Sequence, residues 1–176
     1  ASDGGGIDSA LSGASVVNIS NSSISGNVAQ GDGGGIFNDF TGMMTLTNST
    51  VSGNSSLSGG GTFTSGDLRV LGGSTVSGNT ASDEGGGIFS FASLPAKLVV
   101  TNSTISGNTA VDNGGGISAF DGHTEITGSL ITGNQTQSNG GGSEGEIQLT
   151  GRSAAFSASS SDLFAVNRSA MSPRPR

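Results

Sequence analysis

The chain has 176 residues, of which 33 are glycine and 31% are apolar, and it has no cysteine, tryptophan or tyrosine, so a two-layer core of large side chains would be hard to fill. Residues 1–151 hold twelve acidic groups against Arg69 and Lys97, a net charge of −10, whereas residues 152–176 hold four arginines against Asp162, a net charge of +3. This charge argues against binding of nucleic acid or anionic lipid through the acidic part, and the lack of cysteine excludes disulfides and thiolate metal sites.

A glycine triplet recurs along the chain and sets its period. Triplets begin at Gly4, Gly33, Gly59, Gly85, Gly114 and Gly140, with spacings of 29, 26, 26, 29 and 26 residues. Four of the six are followed by isoleucine, at Ile7, Ile36, Ile88 and Ile117. Periods of this length are typical of solenoids, in which each repeat forms one coil stacked on its neighbours.

A second signature follows each of the first five triplets and ends in asparagine. It consists of an aliphatic residue, Ser or Thr, Gly and Asn, and its five copies end at Asn27, Asn54, Asn79, Asn108 and Asn134. Asparagine tolerates the left-handed conformation of a sharp corner, and identical asparagines in stacked coils can hydrogen-bond amide to amide. We therefore predict a structural asparagine ladder at these five positions.

Apolar residues keep fixed distances from that asparagine, with the period of two that is typical of half-buried strands. A serine lies two residues before the aliphatic residue in every copy and is predicted to face inward with it, at Ser22, Ser49, Ser74, Ser103 and Ser129. The apolar residues predicted to form buried columns are Ile19, Ile24, Ile36, Leu46, Val51, Leu71, Val76, Ile88, Val100, Ile105, Ile117, Ile126 and Ile131.

These patterns predict an all-β fold, a right-handed parallel β-helix solenoid of about five to six coils of 26–29 residues, with three short strands per coil. A parallel strand pair needs a return path of a dozen residues or more, which the other two sides of the coil supply. Right-handedness follows from the preferred hand of parallel crossovers. The main competing solenoid, a leucine-rich repeat, needs a leucine five residues before its asparagine, where this sequence has serine.

The repeat divides the chain into two parts. Residues 1–151 are predicted to form the β-helix, as a fragment of a longer solenoid, and residues 152–176 a non-repetitive Ser/Ala-rich tail, cap or linker. No apolar run is long enough to span a bilayer, and no basic and then apolar leader opens the chain. We interpret the chain as part of a larger secreted or cell-surface precursor from which any leader has been removed.

The paired signals Gly-Gly-Gly-Ile and Ile-Ser-Gly-Asn resemble the Gly-Gly-Ala-Ile and Phe-x-x-Asn motifs of the chlamydial polymorphic outer membrane protein repeat. The whole unit, for example Leu98–Asn108, is similar to repeats of bacterial surface proteins with parallel β-helix passengers, and the resemblance covers residues 4–142. A third glycine replaces alanine, and Ile or Val replaces Phe, so the broader bacterial surface-repeat family is the better match. The resemblance implies an exported, adhesin-like or structural passenger.

Enzymatic chemistry has one candidate cluster. Asp121, His123 and Glu125 are alternate residues that share one face of an extended segment. Polysaccharide hydrolysis needs two carboxylates at a set separation, and lyase chemistry needs a basic residue that abstracts a proton. No Arg or Lys lies in the same coil to complete such a set. We therefore interpret the cluster as a polar loop between strands and predict no catalytic residue.

Acidic residues just before the glycine triplets offer a second candidate. Stacked on one edge of the solenoid, they could bind calcium through oxygen ligands. These residues are Asp3, Asp32, Asp83, Glu84 and Asp112. Charge in loops usually serves solvation, so solvated acidic loops are the preferred interpretation, and no metal or other cofactor is predicted.

Two outward columns are candidate contact surfaces. Phe37, Phe63 and Phe89 fall in one column after the isoleucine position, where they form either an exposed aromatic strip for glycan or partner contact or a buried or self-stacked column. Outward hydroxyls such as Thr50 and Ser52 recur about 4.8 Å apart between coils and suggest an ice-binding surface as a lesser alternative.

The shortage of basic residues and the flat walls of a regular rod favour a non-catalytic structural or adhesive segment. A polysaccharide-active fragment, lyase-like or hydrolase-like, is the alternative function. The expected partner is an unidentified surface ligand, such as a host or cell-surface glycan or protein. Neither nucleic acid binding nor membrane insertion of this segment is expected.

Overall fold

The computed structural model describes residues 2–9, 15–38, 42–91, 97–120, 123–137, 146–150 and 163–164. Among these residues all the regular secondary structure is β-strand, and every strand pairing is parallel. The strands stack coil upon coil into four sheets. The predicted all-β parallel β-helix is therefore confirmed.

Each sheet forms one side of the solenoid. Sheet 1 consists of Ile7–Ser9, Ile36–Asn38, Thr62–Thr64, Ile88–Phe91, Ile117–Phe120 and Leu163–Phe164, and the first five of these strands each follow a glycine triplet. Sheet 2 consists of Val16–Ser20, Met43–Thr47, Asp67–Leu71, Lys97–Thr101, His123–Thr127 and Glu146–Thr150. Sheet 3 consists of Ser23–Ser25, Thr50–Ser52, Thr75–Ser77, Thr104–Ser106 and Leu130–Thr132. Sheet 4 consists of Ser55–Ser56, Thr80–Ala81, Thr109–Ala110 and Gln135–Thr136.

Sheet 4 is a fourth side of the coil, one more than the sequence predicts. Its strands come directly after the Gly-Asn corner, and Thr80–Ala81 pairs with strands of both neighbouring coils. A strand of two residues shows no period of two, and its inward residue is small, as at the fully buried Ala81 and Ala110. Four successive turns, from Ile36 to Thr136, carry strands in all four sheets.

The interior consists of stacked apolar columns, and eleven of the thirteen predicted core residues are buried. The buried eleven are Ile24, Ile36, Leu46, Val51, Val76, Ile88, Val100, Ile105, Ile117, Ile126 and Ile131. Ile19, in the first described coil, is half-buried and packs against the same core. The period of two therefore assigned the inner and outer faces correctly.

The prediction for Leu71 is wrong, because its coil has one extra residue at the corner after sheet 2. Val70, fully buried, stands in register with Leu46, and Leu71 stands with the exposed Thr47. Gly72 and Gly73 both have positive φ, +61° and +83°, at a corner where each of the other coils has one residue of positive φ, which is Asn21, Asn48, Asn102 or Gly128. Counting backwards from Asn79 thus misplaces the strand by one residue.

The asparagine ladder joins the coils through side chains that are buried at Asn54, Asn79, Asn108 and Asn134 and partly buried at Asn27. In the last four asparagines, each Oδ1 accepts two hydrogen bonds from the preceding asparagine, one from its backbone N–H and one from its Nδ2, at 2.8–3.0 Å. The same Nδ2 donates to a carbonyl of the preceding coil, as from Asn79 to Val51 at 3.1 Å. The ladder therefore satisfies backbone groups that the corner would leave unpaired.

The serine column makes a second, parallel set of contacts. The Ser49 hydroxyl accepts a hydrogen bond from the backbone N–H of Ser22 at 3.2 Å and donates one to the Thr47 carbonyl at 2.9 Å. The inward prediction holds for Ser49, Ser74, Ser103 and Ser129, which are buried. Ser22, in the first described coil, is exposed, and its hydroxyl donates to the Ser20 carbonyl at 2.7 Å, as the Ser49 hydroxyl does to Thr47.

Each glycine of a triplet has its own steric reason. Gly33 has φ of +68°, a left-handed turn that favours glycine. A Cβ on Gly34 would lie 2.4 Å from the Gly60 carbonyl oxygen of the next coil. A Cβ on Gly35 would lie 2.9 Å from Nδ2 of Asn54. The third glycine therefore makes the room into which the asparagine ladder packs.

The connections between sheets differ in how much their length varies. Sheet 3 leads to sheet 4 through two residues in each of four coils, as at Gly53 and Asn54. Sheet 1 leads to sheet 2 through two residues at Ser65 and Gly66, but through six at 10–15. Length variation therefore concentrates at the corner between sheets 1 and 2, which we call the variable corner.

Candidate functional site

The predicted phenylalanine column is a self-stacked ladder on the outer face of sheet 1. Phe37 and Phe63 have ring centroids 5.1 Å apart at an interplanar angle of 14°, and Phe63 and Phe89 lie 5.2 Å apart at 27°. Phe37 and Phe63 are half-buried, and Phe89 is 9% exposed. Because the rings cover one another's faces, they present mainly their edges to solvent. The use of this column as a contact surface stays a prediction.

Two further rings widen the ladder, and we call the cluster of Phe89, Phe91 and Phe120 the aromatic end. Phe91 lies 6.4 Å from Phe89 between centroids, and Phe120 lies tilted against both, at 5.5 Å from Phe89 and 6.2 Å from Phe91. Phe91 is 44% exposed. These two rings are not predicted from the phenylalanine column, because Phe120 is in register with Phe91 instead of Phe89, whose own partner is Ser118.

The outer face of sheet 2 brings together charged residues that are distant in sequence. Lys97 stands in register with His123 of the next coil, and Glu125 stands with Val99. Val99 in turn stands with Arg69, so Arg69 and Glu125 are two coils, about 10 Å, apart. Arg69 and Lys97 are exposed, and His123 and Glu125 are half-buried.

Stacking of the coils thus brings a basic residue next to the polar cluster of His123 and Glu125, which spacing along the chain does not. The sequence has no Arg or Lys in the coil of His123 and Glu125, but the neighbouring coil supplies Lys97 at the adjacent position. Asp121, the third predicted member, lies outside the described residues. The role of the cluster stays a prediction.

The acidic residues before the glycine triplets line one edge of the solenoid, between sheets 4 and 1, which we call the acidic edge. There, carboxylates link successive coils: Asp3 accepts a hydrogen bond from the backbone N–H of Asp32 at 2.9 Å, and Asp32 accepts one from Ser58 at 3.2 Å. Glu84 accepts a hydrogen bond from Nδ2 of Asn113 at 2.8 Å. These carboxylates therefore have a structural use as interstrand acceptors.

Three carboxyl groups of the acidic edge titrate above their ordinary range. Burial raises the pKa of Asp32, and the charge of Asp3 adds to the effect. Burial and the neighbouring Asp112 carboxyl raise the pKa of Asp83. Burial also raises the pKa of Glu84, against the opposing hydrogen bond from Asn113. Within the described ranges, no group of three or more acidic, histidine or cysteine residues is arranged to hold a metal ion.

The hydroxyl columns of sheet 3 are regular over three coils. Thr50, Thr75 and Thr104 stand in one column, each followed two residues later by a serine in the next column. Ser23 begins the threonine column and Leu130 ends it, so the array is interrupted on both sides. This short array is what the ice-binding alternative would have to use.

The geometry defines the class of protein: a solenoid of parallel strands whose outer faces carry repeated columns of side chains. The family model of the right-handed β-helix region matches residues 3–163, and the chain belongs to this family. No curated protein and no solved structure matches the chain. In the part of the chain that the structure describes, no helix is long and apolar enough to cross a membrane. Right-handed β-helices occur in structural and in polysaccharide-active proteins, so the family is compatible with both functions.

Proposed function

We propose that this chain is a non-catalytic structural and adhesive segment of an exported cell-surface protein, of the bacterial surface-repeat kind that its sequence resembles. The observation that carries the proposal is the repetition of one side-chain type in register down an outer column, as in Phe37, Phe63 and Phe89. A partner with its own repeat then meets the same group at every coil. Weak contacts of this kind add up to useful avidity.

The variable corner supports the same proposal. In solenoids, insertions that differ from repeat to repeat map to loops on one face, which is often the binding face. Here that corner separates the aromatic end on sheet 1 from the charged face of sheet 2. We therefore propose that ligands contact sheet 1 and sheet 2 on either side of this corner, and not the interrupted hydroxyl columns of sheet 3.

The test measures binding of the purified chain, displayed at low and high density, to an array of cell-surface glycans and to extracellular matrix proteins. Phe63→Ala removes the middle ring of the ladder, and Thr75→Ala, in the same coil on sheet 3, is the matched control. We expect Phe63→Ala to weaken binding about tenfold, which corresponds to about 1.4 kcal/mol, and Thr75→Ala to leave it unchanged. Equal binding by both variants would show that the aromatic column does not contact the ligand. No binding of the unmodified chain at either density would contradict an adhesive function.

Polysaccharide cleavage is a second candidate function, favoured by the position of Lys97 in register with His123 of the adjacent coil. A lysine and a histidine at adjacent positions, with Glu125 beside them, supply groups that general acid and base catalysis uses. The assay follows unsaturated products and reducing ends from pectins, alginates and glycosaminoglycans, with and without calcium. Turnover that disappears in both Lys97→Ala and His123→Ala, but not in Thr75→Ala, would establish the enzyme and overturn the non-catalytic proposal.

A further inference from the structure

Six asparagines in the described part of the chain are followed two residues later by serine or threonine, the acceptor pattern for N-linked sugars. The structure divides them by exposure. Asn54 and Asn134 are 1% and 3% exposed and belong to the ladder, where a sugar on Nδ2 would break the hydrogen bond that this atom donates to the preceding coil. The four exposed asparagines are Asn18, Asn21, Asn48 and Asn102.

Three of the exposed asparagines stand at the corner between sheets 2 and 3, and each has φ of +49°. Asn48 donates a hydrogen bond from its Nδ2 to Oδ1 of Asn21 at 2.7 Å, so these two side chains fill the space between their coils. Asn102 instead lies between two glycines, Gly73 of the preceding coil and Gly128 of the following coil. Asn102 is therefore the corner asparagine whose neighbours in both adjacent coils have no side chain.

The two glycines leave room for a sugar on the Asn102 amide. A Cβ on Gly128 would lie 2.5 Å from Oδ1 of Asn102, so the amide oxygen occupies that side, and a Cβ on Gly73 would have nothing within 4 Å. Adjacent coils are about 4.8 Å apart, and a sugar ring attached to Nδ2 extends over the level of a neighbouring coil. Among the described residues, the Asn102 side chain makes no hydrogen bond that a sugar would displace.

We propose that Asn102 is the acceptor of an N-linked sugar. The donor is a sugar activated by a diphosphate ester at its anomeric carbon. Nδ2 of Asn102 forms a bond to that carbon, the bond from the carbon to the diphosphate oxygen breaks, the diphosphate leaves with the electron pair, and a base takes one amide proton. Thr104, half-buried on sheet 3, supplies the hydroxyl of the acceptor pattern. The inference rests on the proposed export of the chain, because this pattern is modified in exported proteins.

The test is mass spectrometry of the full chain isolated from the surface and from the interior of the cells that make it, with electron-transfer fragmentation to locate any added mass. In the surface fraction we expect fragments containing Asn102 to gain the mass of one or more whole sugar residues, and Asn54 and Asn134 to gain none. A surface chain with unmodified Asn102 overturns this inference alone. A sugar on Asn54 or Asn134 overturns the selection of sites by burial, and a chain confined to the interior overturns the proposed export and the inference together.

Thr104→Ala removes the hydroxyl of the acceptor pattern and keeps Asn102 with its positive φ. Thr75→Ala is the matched control, because Thr75 stands in register with Thr104 but has Gly73 two residues before it and so belongs to no acceptor pattern. We expect the added mass at Asn102 to be lost in Thr104→Ala and kept in Thr75→Ala, with the circular dichroism of a folded solenoid in both. Added mass that stays on Asn102 in Thr104→Ala overturns N-linked transfer to this pattern.

Discussion

Removing one asparagine from the middle of the ladder should destabilise the solenoid far more than removing one from its first described coil. The Asn79 side chain makes four hydrogen bonds: Nδ2 donates to Oδ1 of Asn108 and to the Val51 carbonyl, and Oδ1 accepts from the backbone N–H and the Nδ2 of Asn54. Asn79→Ala deletes all four and leaves the buried N–H of Asn54 without its acceptor. At about 1 kcal/mol for each bond, the free energy of unfolding falls by about 4 kcal/mol.

Asn27→Ala is the matched control, because it makes the same substitution at the same corner. Among the described residues, the Asn27 side chain donates one such bond, from Nδ2 to Oδ1 of Asn54 at 2.9 Å, and Asn27 is only partly buried. Water can replace much of what it loses, so we expect a loss of about 1 kcal/mol. Thr75→Ala, on the outer face of sheet 3, should change stability by less than about 0.5 kcal/mol.

The assay is a urea titration followed by circular dichroism in the β-sheet region, with the slope of the transition compared among the variants. An unchanged slope shows that the same structure unfolds in each case. If Asn79→Ala and Asn27→Ala lose the same stability, the hydrogen bonds of the ladder contribute no more in the buried coils than at a solvated corner. That result would refute a stabilising role for the buried hydrogen bonds of the ladder.

Three further predictions test the packing and the charges. Gly61→Ala should destabilise the chain by several kcal/mol, since its Cβ would lie 2.5 Å from the Gly87 carbonyl oxygen. The control Gly78→Ala has nothing within 4 Å of its Cβ and should lose only the cost of its positive φ, about 1–2 kcal/mol. Similar melting temperatures for the two variants would contradict the close approach of the coils. Val70→Ala should lose about 2 kcal/mol or more and Leu71→Ala less than 1 kcal/mol, and the reverse order in a urea titration would restore the register that the sequence predicts. The free energy of unfolding should rise as the pH falls from 7, because the three carboxyl groups of the acidic edge with raised pKa bind protons more tightly in the folded state. The rise should level off below the ordinary pKa values of these carboxyl groups, 3.8 for Asp and 4.5 for Glu. Urea midpoints that fall steadily over this range would contradict the prediction.

The inner and outer faces could be read from the sequence because the repeat carries them many times. A single Ile or Val at one position is weak evidence, but the same position in five copies, always two residues after a serine, fixes the strand and its inward face. The asparagine ladder was predictable for the same reason. Identical residues at one corner of a stacked coil must lie above one another, at the spacing that allows amide-to-amide hydrogen bonds.

The neighbours across coils could be decided only by the tertiary structure, because coils of 26 and 29 residues absorb their length differences at different corners. The extra residue at Gly72–Gly73 moved Val70 into the column that the sequence assigned to Leu71. The same alignment placed Lys97 beside His123 and Phe120 beside Phe91, contacts between residues about 26 to 29 apart in the chain. Spacing along the chain sets which face a residue occupies, whereas the position of each insertion sets which residues of the next coil it meets.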